Sequence, residues 1–283
     1  MQPASATTDR AALSPALQAF DAVAARFDAR FGAWQSVAAQ RRQVRVQLER
    51  AFPRRARVLE IGGGTGEDAH WLAARGREVL LTDGAPAMVR VAREKLRAQR
   101  GPEPRVFSAE GIGHLAAERE LEGAEPFDGA FSNFAALNCV DRLDGFAAGL
   151  ARLLRPGAPA LLVLFGTRCP GELVVQLLRG DARAAMRRRE RGLVPARLGG
   201  REFTVRYHTS ADVQRAMAPW FTLRRRVGIG VFVPPSAAEP WISGHPAVVR
   251  MLGAMDRVAS GALAPLGDHV LYWFIRSSVA ARR

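Results

Sequence analysis

At 283 residues and 48% apolar side chains, the chain is long enough for one large α/β domain with a small cap, and too apolar for intrinsic disorder. No uncharged run approaches the roughly 18 apolar residues that cross a bilayer, which excludes a transmembrane helix, and the opening MQPASATTDRAALSPALQ is expected to carry no secretory leader. The net charge of +14 decides little: Lys95 is the single lysine, so 40 of the 41 basic residues are arginines, a bias that GC-rich coding produces by itself. The alternative source of that charge is an anionic partner, namely a phosphorylated or carboxylated substrate, RNA or a membrane surface. Cys139 and Cys169 lack metal-type spacing, so no metal is expected and a reduced, cytoplasmic protein is.

In chain order, Leu17, Phe20, Val23 and Phe27 recur at helical spacing, and Val37, Val44 and Leu48 continue the pattern after Gly32, giving helix over 16–50. A β-branched run at 57–61 predicts a buried strand that ends in glycines. The alternation then predicts helix 66–75, strand 78–82, helix 86–99, strand 105–108, a weakly helical segment at 113–121, strand 127–132, helix 142–154 and strand 159–165. That rhythm argues for a mostly parallel sheet with helices on both faces. Beyond Thr167 it breaks into a basic helix over 171–191, a strand at 203–208, a helix at 211–218, a strand at 222–233, a loop-and-helix excursion over 234–267 and a last strand at 269–275. The expected organisation is an N-terminal helical segment (1–50), a cofactor-binding core (51–166) and a C-terminal part of the same domain (167–283) carrying cap insertions.

The sharpest local signal is VLEIGGGTG at 58–66. Glycines at 62, 64 and 66 after a strand let the backbone turn tightly and approach a ligand that any Cβ would obstruct. The spacing is E-x-G-x-G-x-G from Glu60, not the G-x-G-x-x-G of nicotinamide enzymes; a tight turn with no ligand is the plain alternative. Asp83 ends the next strand 23 residues after Glu60, the offset at which an acid meets the ribose hydroxyls of an adenosine cofactor. A helix N-cap is the competing role for it.

Together these features resemble the class I S-adenosylmethionine (SAM) dependent methyltransferases, and among them the small-molecule enzymes of the ubiquinone/menaquinone-biosynthesis type. The glycine segment resembles their motif I, which implies that Glu60, Gly62, Gly63, Gly64 and Gly66 organise the methionine end of SAM. The segment DGAPAM at 83–88 resembles D-x-S-x-x-M, with Ala85 in place of serine; this implies contacts from Asp83 and Gly84 and a Met88 side chain against adenine. VFSAEG at 106–111 implies adenine contacts from Ala109 and Glu110. PFDGAFSNFAALN at 126–138 resembles motif IV, whose strand end, here Ser132 and Asn133, faces the methyl group, and LRPG at 154–157 is also typical. FDAVAARFD at 20–28 resembles the opening F/Y-D-x-x-A-x-x-Y-D, with Phe27 in place of tyrosine. The resemblance covers about residues 18–166 and implies a Rossmann-like, seven-stranded sheet, with caps after strand 5 and before the last strand.

A methyl donor of this kind needs an aligned nucleophile and excluded water, and a base only where the nucleophile is protonated. His208 and Tyr207 are candidates for that base, and Asn133 and Asn138 for orienting the acceptor; structural hydrogen bonding is the alternative for each. The expected acceptor is a small molecule with an anionic, aromatic or lipid-like body, received by Phe131, Phe134 and Leu137. Nucleic acid is disfavoured because SNFA at 132–135 lacks the Asn/Asp-Pro-Pro-aromatic clamp of amino-group enzymes. An RNA methyltransferase of another sort and a non-catalytic SAM-binding regulator remain the alternatives.

Overall fold

The computed structural model describes residues 13–278; residues 1–12, on which much of the reading of the N-terminus falls, lie outside it. The predicted alternation is present as β1 (Arg57–Ile61), α3 (Glu67–Ala73), β2 (Glu78–Asp83), α4 (Pro86–Leu96), β3 (Arg105–Val106), α5 (Ile112–Leu121), β4 (Gly129–Ser132), α6 (Asp144–Leu153) and β5 (Pro159–Phe165). Ahead of it stand α1 (Pro15–Phe31), capped by the Ser14 hydroxyl, and α2 (Gln35–Ala51), separated at Gly32. The strands form one seven-stranded sheet in the order β3-β2-β1-β4-β5-β9-β8, where β8 is Phe221–Ile229 and β9 is His269–Arg276. Only β9 runs against its neighbours, so the sheet is mostly parallel, as expected.

Period-two alternation in the strands assigns the helices to two faces. Leu59, Ala130, Leu162 and Leu164 point to one face, packed with Ile112, Leu115, Phe146 and Leu150 of α5 and α6. Val58, Leu81, Phe131, Leu161 and Val163 point to the other, with Val44 and Leu48 of α2 and Leu72 of α3. Glu60 shares the parity of Val58, so its side chain enters the layer between the sheet and α2/α3.

After β5 the structure departs from the sequence reading in three places. The helix expected over 171–191 is α7 (Pro170–Leu178) and a short α8 (Ala182–Met186), split at Gly180, which takes φ +75°, and restarted by the Asp181 side chain as a new N-cap. Residues 193–198, not assigned from sequence, form β6 (Leu193–Leu198) in a separate hairpin with β7 (Arg201–Arg206), turning on Gly199 and Gly200. The strand expected to reach 233 ends at Ile229, because Gly230 turns at φ +65°. Between β7 and β8 lies α9 (Ser210–Met217), and between β8 and β9 lies α10 (Pro246–Ala259), packed on α2.

Candidate cofactor and acceptor site

At the carboxyl end of β1, Gly62, Gly64 and Gly66 all take positive φ (66°, 56° and 81°), a region that L side chains occupy only under strain. Their surroundings differ. A Cβ on Gly62 would overlap Ala136, and one on Gly63 would overlap Leu81 and Glu60, whereas a Cβ on Gly64 would meet nothing within 4 Å. Gly62 and Gly63 therefore serve close packing, and Gly64 leaves the space. Asp83 fixes the turn: its Oδ2 accepts from the Gly64 N–H (2.9 Å) and its Oδ1 from the Ala85 N–H (2.8 Å). Burial raises its pKa against the pull of those two donors.

Glu60 is buried, and its Oε2 has no hydrogen-bond partner. Burial first, and then the Asp68 carboxylate, push its pKa well above the usual carboxylate range, with Arg41 opposing. Asp68, on the first turn of α3, is itself held by Arg41 Nη1 (2.9 Å), Arg45 Nε (2.7 Å) and Asn133 Nδ2 (2.7 Å). An orphaned carboxylate oxygen in the same segment as the open face of Gly64 fits a cofactor whose amino-acid end is cationic, because such a group would satisfy the buried acceptor. Neither Arg41 nor Asp68 was singled out from sequence, since nothing in their local text distinguishes them from surface charge.

α1 lies across this turn. Asp21 Oδ1 accepts from the Ala87 N–H (2.6 Å), Asp28 Oδ1 from the Thr65 hydroxyl (2.5 Å), and Lys95 bridges Asp28 and Glu67. The two acids of the FDAVAARFD segment thus staple the helix over the β1–α3 and β2–α4 connections. Phe27, where a tyrosine is usual, packs on Phe31 with ring centroids 4.6 Å apart and has no hydroxyl to place. A Cβ on Gly84 would overlap Leu17 of the same helix. Met88 is buried among Phe20, Val23, Ala24 and Phe27, so it serves as packing beneath α1. Ala109 is half-buried and Glu110 exposed beyond β3.

On the acceptor side, β4 ends in Ser132, whose buried hydroxyl is unpartnered, and Asn133, whose Oδ1 accepts from the Phe134 N–H (2.8 Å). Phe134 and Ala135 then take φ of 48° and 64°, which throws the Phe134 ring outward under Arg41 (4.8 Å). Phe131 and Leu137, expected beside Phe134, belong instead to the two core layers. The other sequence candidates are occupied. Asn138 donates through Nδ2 to the Arg206 carbonyl and accepts through Oδ1 from the Phe165 N–H, tying β7 to β5. His208 Nε2 lies 2.9 Å from the Val140 carbonyl oxygen, which only accepts, so that nitrogen carries the proton. Burial also holds the His208 pKa down. Tyr207 is buried against Phe165, and burial raises its hydroxyl pKa. Asn138 and the Nε2 of His208 are thus committed to backbone partners, and Tyr207 is packed in the interior.

A titratable group missed from sequence lies beside Phe134. His269, the first residue of β9 and 5% exposed, stacks on Phe165 (4.7 Å between ring centroids) and meets Phe134 edge-on (5.6 Å). Its Nδ1 lies 3.4 Å from Asp268 Oδ2. Asp268 is anchored by Gln40 Nε2 (3.0 Å) and Arg188 Nη2 (2.5 Å), and Arg188 also pairs with Glu172. Ligand atoms of Cys169, Glu172 and Asp268 lie within 4.8 Å of one another, but Arg188 already pairs with both carboxylates. Burial pushes the Cys169 and Cys139 thiols up to about 12, so neither is a thiolate.

Residues 58–157 match a family described as methyltransferase domain. The chain is 35% identical over 144 residues to the ubiquinone/menaquinone biosynthesis C-methyltransferase UbiE of Acidiphilium cryptum, covering 50% of this chain and 54% of that protein. It is 33% identical over 120 residues to the malonyl-[acyl-carrier protein] O-methyltransferase of Salmonella typhimurium, covering 42% and 41%. The chain thus spans about half the length of the curated relatives it matches. A solved Listeria monocytogenes structure assigned as an S-adenosylmethionine-dependent methyltransferase superposes with a TM-score of 0.53 at 13% identity, over 82% of this chain and 95% of that one, a likeness of fold. The glycine turn, the acids that end β1 and β2 and the strand order agree with these matches: residues 58–157 carry a methyltransferase domain.

Proposed function

We propose that the chain transfers the methyl group of SAM to a small-molecule acceptor by in-line displacement. The observation that carries this reading is an orphaned buried carboxylate oxygen on Glu60 in the same glycine segment as the open face of Gly64, one strand away from an aromatic strand end at Phe134. Glu60 and the backbone of Gly62, Gly63, Gly64 and Gly66 would hold the methionine end, Asp83 and Gly84 the ribose, and Ala109 and Glu110 the adenine. Bound there, SAM supplies a methyl group activated on a sulfonium. The chain's own work is to align an acceptor beside Ser132, Asn133 and Phe134 and to exclude water. The relative named for C-methylation in ubiquinone/menaquinone biosynthesis supports a small acceptor, and the one named for O-methylation of malonyl-[acyl-carrier protein] leaves the reacting atom open.

The segments 168–200 and 234–267 act in this reading as a cap over the acceptor. Gly166 N–H donates to the Asp268 carbonyl (2.9 Å) where both segments meet the end of β5. Of the cap's large apolar side chains Phe232 is half-buried, whereas Trp241, Met251 and Met255 are exposed, as are Val174, Leu177 and Leu178 of α7, so these six do not close on a ligand in this conformation. Two free cysteines, and the lack of any helix among the described residues long and apolar enough to cross a membrane, are consistent with a cytoplasmic enzyme.

Calorimetry with SAM, followed by transfer of labelled methyl from SAM into nuclease-treated cell extract, tests the reading. Binding of SAM and label in low-mass products is expected. Binding without transfer would leave a SAM-binding regulator, and label that disappears with nuclease treatment would point to RNA.

A further inference from the structure

We propose that His269 is the general base of the transfer, supported by Asp268, and that the acceptor is therefore a hydroxyl or an acidic C–H and not a free amine. The inference rests on the methyl-transfer reading above and adds the acceptor's class to it. Three observations carry it. His269 sits at the carboxyl edge of the sheet, paired in register with Phe165 at the end of β5. Its ring touches Phe134, two residues beyond the end of β4, and Asn133 before that residue joins it to Asp68, beside Glu60. Finally, a buried imidazole whose Nδ1 has no hydrogen-bond partner among the described residues is an expensive arrangement for mere packing, since buried polar groups are ordinarily satisfied.

The charged groups that act on His269 are Asp268, Arg188 and Glu172. Burial, the largest influence, keeps the ring neutral near pH 7, and Asp268 opposes it. Asp268 keeps its charge: burial would raise its pKa, but His269 and Arg188 bring it below the usual carboxylate value. A neutral imidazole beside a fixed carboxylate is the arrangement a base needs, because the carboxylate stabilises the imidazolium that forms. Once the ring turns its Nδ1–H onto Asp268, whose Oδ2 lies 3.4 Å away, Nε2 offers the lone pair. His269 takes the acceptor proton as the acceptor oxygen or carbon bonds to the methyl carbon; the S–CH₃ bond breaks, its electron pair stays on sulfur, and the proton on His269 later passes to water. An amine that is already neutral needs no such base, so this arrangement would be idle for it.

Two measurements on the full chain decide this. The first needs no turnover: diethyl pyrocarbonate labelling mapped by mass spectrometry. His208 and His269 are equally buried, but only His208 is bonded to a carbonyl. His269 is expected to react more slowly than exposed His245 and at least tenfold faster than His208; reactivity equal to that of His208 would show a sealed packing residue and overturn the proposal. The second is the initial rate of labelled methyl transfer into nuclease-treated extract, for wild type and His269→Gln. Removing a general base is expected to lower the rate about 10²- to 10⁴-fold while SAM affinity changes less than about threefold. The wild-type rate should fall on acidification through the imidazole's titration, and the variant's residual rate should not. A variant with more than a tenth of the wild-type rate overturns the base and leaves the methyltransferase standing. A wild type that binds SAM and transfers nothing overturns both.

Discussion

Glu60 joins two facts that rarely coexist in a resting protein: full burial and a carboxylate oxygen without a donor. Its raised pKa means that the free protein favours the protonated form more than an exposed carboxyl would, whereas a cationic ligand favours the carboxylate. Binding of SAM should therefore release protons, and affinity should rise with pH until Glu60 is ionised in the free protein. Calorimetry in two buffers of different ionisation enthalpy reads this directly. Wild type is expected to show a buffer-dependent heat, and Glu60→Gln to lose most of it and to bind more weakly by about 1.5–3 kcal/mol, the worth of a hydrogen bond to a charged group. Asp83 is also raised, so a buffer dependence that survives in Glu60→Gln would move the released proton to Asp83. Gly64 offers a cleaner separation of fold from ligand. A methyl group there meets no neighbour, but the residue must stay at φ +56°, which costs roughly 1–2 kcal/mol for a side-chain-bearing residue. Gly64→Ala is expected to keep its circular dichroism spectrum, melt a few degrees lower and bind SAM poorly. Retention of wild-type affinity would show that the open face of Gly64 is not where the cofactor lies.

Among the elements, the junction between β5, α7 and β9 depends on one side chain. Arg188 is 6% exposed, pairs with Glu172 and Asp268, and donates Nη1 to the Gly166 and Asp268 carbonyls. Its removal leaves the buried Asp268 carboxylate without its arginine partner, whereas Glu172 keeps Arg187, and breaking a buried pair in this way typically costs about 3–5 kcal/mol. Arg188→Ala should therefore lower stability by that order in a denaturant titration. Added Asp268→Asn should restore part of it, because the uncompensated charge goes with it. The sequence offered this residue only as part of a basic helix end, and the reason is general. Alternation and glycine spacing made the strands to β5, their helices and the Glu60–Asp83 turn legible, because those depend on near neighbours in the chain. Arg188 with Asp268, His269 with Phe134 and Arg41 with Asp68 are meetings of distant segments that no local pattern records. Some local signals were present and outweighed: Gly180-Asp181 marks the break in the basic helix, and Gly199-Gly200 marks the β6–β7 turn, but Pro195 inside β6 obscured that strand.

For the molecule as a whole, helices cover both faces of the sheet, and the polar groups that could serve chemistry gather at its carboxyl edge, where ligands of open α/β sheets bind. That edge also contains most of the strongly perturbed side chains, so the pH dependence of stability is largely set there. Burial holds His208 and His269 below the ordinary value of 6.5. For a depressed pKa the unfolded chain takes up the proton first, so the stability each contributes is fully present above 6.5 and is lost as pH falls through the folded value. Glu60 and Asp83 have the opposite sign. Their folded values are raised, so their contribution is fully present below 4.5 and 3.8, respectively, and is lost as pH rises through the folded values. On acidification the free protein thus loses on its histidines and recovers part of the loss on its two buried acids. With SAM bound, Glu60 is held as the carboxylate and that recovery disappears. The expected outcome is a melting temperature that falls below about pH 6.5, and falls more steeply with saturating SAM than without it. His269→Gln should flatten both curves, and Glu60→Gln should bring the two slopes together. Differential scanning fluorimetry from pH 8 to 5, on free and SAM-saturated protein, checks this. Parallel curves for the two forms of the wild type would show that Glu60 keeps its protonation state on binding, and would remove it from the cofactor site.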